Sequence, residues 1–131
     1  MPDYTTKCID DMEAIYGGAF KRARAELGLT SFGFQVMDLP PNAGFYPQHD
    51  HNHDGQEELY VALRGGGEIV VDETERVAFD VDNLVRVGAS SKRKIVPGDE
   101  GVRLLIFGGM PGKAYEPTAM TELGAPDPSL Q

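Results

Sequence analysis

All three histidines of this 131-residue chain fall within five residues, in the run His49-Asp50-His51-Asn52-His53-Asp54-Gly55-Gln56-Glu57-Glu58. Imidazole nitrogens bind divalent first-row metals at about 2.0 to 2.1 Å, and a nearby carboxylate adds an oxygen ligand. In an extended segment, residues two apart share a face with their Cα atoms roughly 6.5 to 7 Å apart. Neighbouring histidines here can therefore converge on one ion. The outer pair, His49 and His53, would stand roughly 13 Å apart if the segment were fully extended, so one ion takes two of the three unless the chain bends at Asp54-Gly55. The plainer reading is a polar loop ahead of a strand, where histidines need no ligand.

The run leads into Glu58-Leu59-Tyr60-Val61-Ala62-Leu63, which alternates as a strand does. Tyr60 shares the face of Glu58, and Glu57 points the other way. Further strands are expected at 68–72, 75–79, 84–87, 93–96 and 102–108, each short, rich in Val, Ile, Leu or aromatics, and bounded by Gly, Pro, Asp, Asn or Ser. Ser31 to Leu39 also has strand period, with Phe32, Phe34 and Val36 on one face. Phe32, Phe34, Phe79 and Phe107 read as core. Gly65-Gly66-Gly67 reads as a hairpin turn, and no helix follows it as a phosphate-binding loop requires. Near-regular short strands without long helical patterns indicate an antiparallel sandwich or barrel.

The flanks read differently. Residues 3–16 carry one or two helical turns, and Ala19 to Leu27 is a short helix ended by Gly28, with Lys21, Arg22 and Arg24 on its solvent side. Three regions follow: an N-terminal extension over 1–30, a barrel over 31–110, and an irregular segment over 111–131 whose last eight or so residues are loosely held.

A net charge of −9 opposes nucleic acid and anionic membranes, which are bound by neutralising their charge with Lys and Arg. No apolar run approaches the ~20 residues of a membrane helix, and Asp3, Asp10 and Asp11 do not suit a signal peptide. A lone cysteine, Cys8, fits a reducing, cytoplasmic setting.

Gly44, His51-x-His53, Glu58 and Gly65 resemble the first motif of the cupin family, in which a glycine precedes H-x-H, a glutamate follows, and a glycine closes the segment. The interval from Gly44 to His51 is one residue longer than usual, but only the His51/His53 pair satisfies the later intervals together. The resemblance implies an antiparallel double-stranded β-helix, or jelly-roll barrel, over about Phe32 to Gly109. It also implies His51, His53 and Glu58 as metal ligands, with His49 at the rim in reserve. The family's second motif supplies a further histidine, and the matching stretch, Asp82 to Val96, has Arg93 there. A guanidinium offers donors and no lone pair, so Arg93 does not replace that ligand.

Three functions are consistent with these features. One is a metal-dependent cupin holding Fe, Mn, Ni or Zn, of dioxygenase, isomerase or decarboxylase type, with no nucleotide cofactor and with Tyr60 or Arg93 orienting a small-molecule ligand. Another is a metal-free module in which Arg93 binds an anionic ligand. The last is a structural protein that pairs as a homodimer, as small single-barrel cupins resemble members that do. The family spans so many activities that the fold alone does not choose among them.

Overall fold

The computed structural model describes residues 1–130. A 3-10 turn at Ile9–Asp11 precedes β1 (Ala14–Ile15), a second such turn at Tyr16–Gly18, β2 (Phe20–Lys21) and α1 (Ala23–Leu27). Then come β3 (Gly33–Leu39), β4 (Glu57–Val71), β5 (Glu75–Asp80), β6 (Val85–Val87) and β7 (Arg93–Gly109), with 3-10 turns at Ala119–Thr121 and Pro128–Leu130 near the end. All strand pairings are antiparallel, in the order β1-β2-β3-β7-β4-β5, with β6 also on β4. β4 pairs with β7 from Glu57↔Gly109 to Val71↔Arg93. Its other edge takes β6 beside Glu58 to Tyr60 and β5 beside Gly66 to Val71. One bent sheet thus rolls around a core, giving the expected antiparallel jelly-roll barrel.

The expected turn at Gly65-Gly66-Gly67 lies inside β4, and the strands expected at 93–96 and 102–108 are one strand, β7. The glycines serve a bend. The register with β7 shifts between Ala62 and Arg64 and again between Gly65 and Gly67, as bulges do where a strand turns a barrel corner. Gly65 has φ +70°, and a Cβ on Gly67 would run into the Val96 carbonyl oxygen. The same residue type that closes a hairpin here lets two backbones cross closely.

Alternation in β4 and β7 sends Tyr60, Ala62, Leu104 and Ile106 inward, where they join Ile69, Phe79 and Ile95 in the main core. Phe79 is core as expected, whereas Phe32 is 39% exposed. Phe34 and Val36 lie on the opposite face of β3 from Gln35 and Met37. They pack with Met12, Ala23 and Leu105 beneath the N-terminal segment.

The flanks depart most from expectation. Lys21, Arg22 and Arg24 are buried rather than solvated, because their partners come from distant parts of the chain. Arg22 donates to Glu13 Oε2 (2.7 Å) and to the carbonyls of Met120 (2.8 Å) and Ala125 (2.9 Å). Arg24 donates to Glu122 Oε1 (2.8 Å) and the Leu29 carbonyl (3.1 Å), and Lys21 lies 3.6 Å from Asp38 Oδ2. A buried guanidinium is tolerable only when its donors are matched in this way. Among the last residues expected to be loose, the Ala125 carbonyl and Asp127, which accepts from the Tyr16 amide (3.1 Å), are held by the N-terminal flank, and Gln131 lies outside the described residues. Cys8 is exposed, and no helix among the described residues is long and apolar enough to cross a membrane.

Gly67→Ala should lower stability by about 1 to 3 kcal/mol, the usual cost of overpacking where backbone must give way. Gly109→Ala, where an added Cβ meets nothing within 4 Å, should stay within about 0.5 kcal/mol of the parent. Urea denaturation of the two variants side by side checks the assignment of the triple glycine to a strand crossing.

Candidate metal and ligand site

Residues 49 to 51 run beside the start of β7. His49 and Arg93 exchange both backbone hydrogen bonds (3.1 and 2.8 Å), and the His51 amide donates to the Ala89 carbonyl (2.9 Å). The extended path then stops. Gly55, at φ +75°, donates back to the His51 carbonyl (2.7 Å), and this turn reverses the chain into β4 so that Glu58 faces His51.

The turn decides which histidines meet. His51 Nε2 lies 3.1 Å from Glu58 Oε1, and His49 Nε2 lies 3.9 Å from the same oxygen. Ligand atoms of His49, His51 and Glu58 all fall within 4.8 Å of one another. His53 sits on the turn with its side chain 73% exposed and Nε2 3.4 Å from Asp54. It is not brought to Glu58, although with His51 and Asp54 it forms a second, more exposed cluster. The spacing expected His53 beside Glu58 and His49 at the rim, and the structure exchanges their places. The physical reason is that period two applies only while the strand continues, and it ends at His51.

Both converging imidazoles are oriented from behind. His49 Nδ1 faces the Pro47 carbonyl (3.1 Å), and His51 Nδ1 faces Asp54 Oδ1 (3.1 Å). Donation of the Nδ1 proton to these acceptors leaves the Nε2 lone pair toward Glu58, the arrangement that metal-binding histidines usually have. Asp54 is itself held by the Gln56 amide and side chain, each at 3.0 Å. Gly108 makes room for Gln56, since a Cβ there would strike Gln56 Oε1. Burial works to raise the Asp54 pKa, but the hydrogen bonds from Gln56 and the nearby His51 hold it below the usual carboxylate value. Burial likewise works to lower the His51 pKa, and the Glu58 and Asp54 carboxylates outweigh it and raise it.

Glu58 is anchored on its far side. Arg93 Nη1 and the Tyr60 hydroxyl each donate to its Oε1 at 2.7 Å. Arg93 is completely buried, and it also donates to the carbonyls of Gly88 (2.5 Å) and Ser91 (3.2 Å). Burial alone would raise the Glu58 pKa, but the nearby His49 and His51 imidazoles and the Tyr60 hydroxyl push it far below the carboxylate range. The sequence placed Tyr60 and Arg93 within reach of a ligand. In the structure both are fully buried around Glu58, and neither is among the residues that line the cavity.

That cavity, about 670 Å³, opens in front of His49, His51 and Glu58. Its walls come from Gln35 and Met37 of β3, Tyr46, and Ile106 of β7, together with Tyr16, Phe20, Tyr115 and Met120 from the two flanks. Sequence reasoning missed Gln35, Tyr46, Asp54, Gln56 and the flank residues as parts of the site. Only Asp54 carried a signal, its place three residues after His51 in a turn.

Arg93→Met should cost about 3 to 5 kcal/mol, because it leaves the Glu58 carboxylate buried without its cation. Adding Glu58→Gln should recover much of that loss. A double-mutant cycle in urea measures the coupling, and additive effects would show that Arg93 acts through something other than Glu58.

No family model and no curated protein matches this sequence. Solved structures do. A cupin protein from Bacteroides fragilis superposes with a TM-score of 0.68 at 24% identity, covering 92% of this chain and 95% of that one. A protein from Photorhabdus luminescens gives 0.63 at 17% identity, over 82% and 88% of the two chains. A predicted oxalate decarboxylase from Thermotoga maritima gives 0.53 at 21% identity, over 61% and 68%. Likeness at these identities is likeness of fold, and it agrees with the rolled antiparallel sheet: the chain has the fold of the small cupins.

Proposed function

We propose that this chain binds one divalent first-row transition metal through His49, His51 and Glu58 and receives a small molecule in the cavity in front of it. The observation that carries the reading is His51 Nε2, which is buried without a hydrogen-bond partner although Glu58 Oε1 is only 3.1 Å away. Nitrogen and oxygen ligands at about 2.0 to 2.1 Å from one ion lie roughly 3.3 Å apart in tetrahedral geometry. The separations of 3.1 and 3.9 Å from Glu58 to the two imidazoles suit such an ion with little movement. Two nitrogens and one oxygen form a donor set that Fe, Mn, Ni and Zn accept.

A metal there supplies Lewis acidity, polarising an oxygen of a molecule bound at an open position. The chain's own residues do the rest. Arg93 and Tyr60 keep Glu58 ionised and fixed, Asp54 and the Pro47 carbonyl aim the imidazoles, and the apolar walls exclude water around the ligand. The alternative in which Arg93 grips an anionic ligand loses its donor, because the guanidinium is occupied by Glu58, Gly88 and Ser91.

Calorimetric titration of chelator-treated protein with Mn²⁺, Fe²⁺, Ni²⁺ and Zn²⁺ should find one site per chain. His49→Ala and His51→Ala should abolish it, Asp54→Ala should weaken it about 10- to 100-fold as loss of an orienting partner does, and His53→Ala should leave it intact. A site lost in His53→Ala but kept in His49→Ala would reinstate the ligand set implied by sequence spacing. No binding of any of the four ions would refute the metal.

A further inference from the structure

Gln35 is a polar group in the cavity that the metal reading does not use. Its side chain faces inward from β3, it is only 8% exposed, and its Oε1 is buried with no hydrogen-bond partner. An orphaned buried acceptor costs about 1 to 3 kcal/mol, so its place in a ligand cavity calls for a donor.

The sheet fixes where that acceptor lies. Gln35 pairs with Ile106, and Ile106 pairs with Tyr60 on its other side, so the three share one row and one face. The next row is Gly33, Gly108 and Glu58. Gln35 therefore stands two strands, about 10 Å, across the cavity from the strand that carries Glu58. Between them the walls are largely apolar, with Met37, Tyr46, Ile106, Tyr115 and Met120. No Lys or Arg lines the cavity, while two carboxylates, Asp54 and Glu58, do. Such a wall has nothing to balance an anion at the Gln35 end.

We propose that Gln35 is a specificity-determining residue whose Oε1 accepts a hydrogen bond from a hydroxyl or N–H group of an uncharged, largely apolar or aromatic ligand. The inference rests on the cavity half of the reading above and not on the metal. It differs from a sugar phosphate or a simple carboxylate as the preferred occupant, because those bring charge that the cavity does not match. The hydroxyl or N–H group makes the contact with Gln35, and the apolar body fills the space toward Tyr115 and Ile106.

The test uses three probes of one shape on chelator-treated protein, followed by their own fluorescence: 2-naphthol with a donor, 2-methoxynaphthalene without one, and 2-naphthoate with a charge. Wild type should bind 2-naphthol about tenfold more tightly than either of the others, the worth of about one hydrogen bond. Gln35→Leu should erase that advantage by weakening 2-naphthol about tenfold while leaving 2-methoxynaphthalene unchanged. Gln35→Met, which keeps the unbranched shape, carries the same expectation should the leucine variant fail to fold. Indifference of 2-naphthol to both variants, equal binding of the donor-free probe, tighter binding of 2-naphthoate, or no binding of any probe would each overturn the proposal. Metal titration of the same variants should be unaltered, so loss of probe specificity and loss of the metal are separate results.

Discussion

The buried pair of Arg93 with Glu58 is the constraint on which the rest of the site depends. A carboxylate taken out of water is costly, and a guanidinium with no exposure at all is more so. Each is tolerable here because the other is 2.7 Å away and because the Gly88 and Ser91 carbonyls accept the remaining guanidinium donors. Those acceptors lie in the connection from β6 to β7, and Arg93 also holds the His49 backbone. The charge pair thus fixes three chain segments relative to one another: the end of the histidine run, the start of β4 and the start of β7. The two imidazoles converge on Glu58 because the backbone that carries them is pinned to its counter-ion.

Arg93 also sets the electrostatics of the cluster. Its guanidinium, 2.7 Å from Glu58 Oε1, already balances the carboxylate charge. A divalent ion held at this position would meet a permanent positive charge behind Glu58.

The fold was legible because alternation and turn chemistry are local. Tyr60, Ala62, Leu104 and Ile106 announce their facing from their neighbours alone. The joins were not legible. Gly65-Gly66-Gly67 and Pro97-Gly98 carry the residues that both a hairpin and a sharply bent strand use, and what separates the two is a backbone that lies close in space, such as the Val96 carbonyl against Gly67. Lys21, Arg22 and Arg24 were misread for the same reason. A basic trio looks solvated until acceptors arrive from Met120, Glu122 and Ala125, about a hundred residues away. At the site, the motif spacing pointed to this stretch and to Glu58, around which the structure gathers His49 and His51. Which of His49 and His53 approaches Glu58 depends on the turn at Asp54-Gly55, whose residue types mark a turn without its direction.

The cavity follows from this division between local and distant information. Its metal end is built by the barrel, from residues close in sequence and held by the Arg93 pair. Its outer wall is built by Tyr16, Phe20, Tyr115 and Met120, and these flanks are held by Arg22 and Arg24, whose partners lie at both ends of the chain, and by the Tyr16 amide on Asp127. Two buried arginine networks therefore do separate tasks: Arg93 sets the geometry in which an ion can sit, and Arg22 with Arg24 sets the size and polarity of the space in front of it. A barrel of the same fold with different flanks would keep the first and change the second. The walls in front of the histidines accordingly come from Gln35, two strands from Glu58 in the same sheet, and from the aromatic and methionine side chains supplied by the flanks.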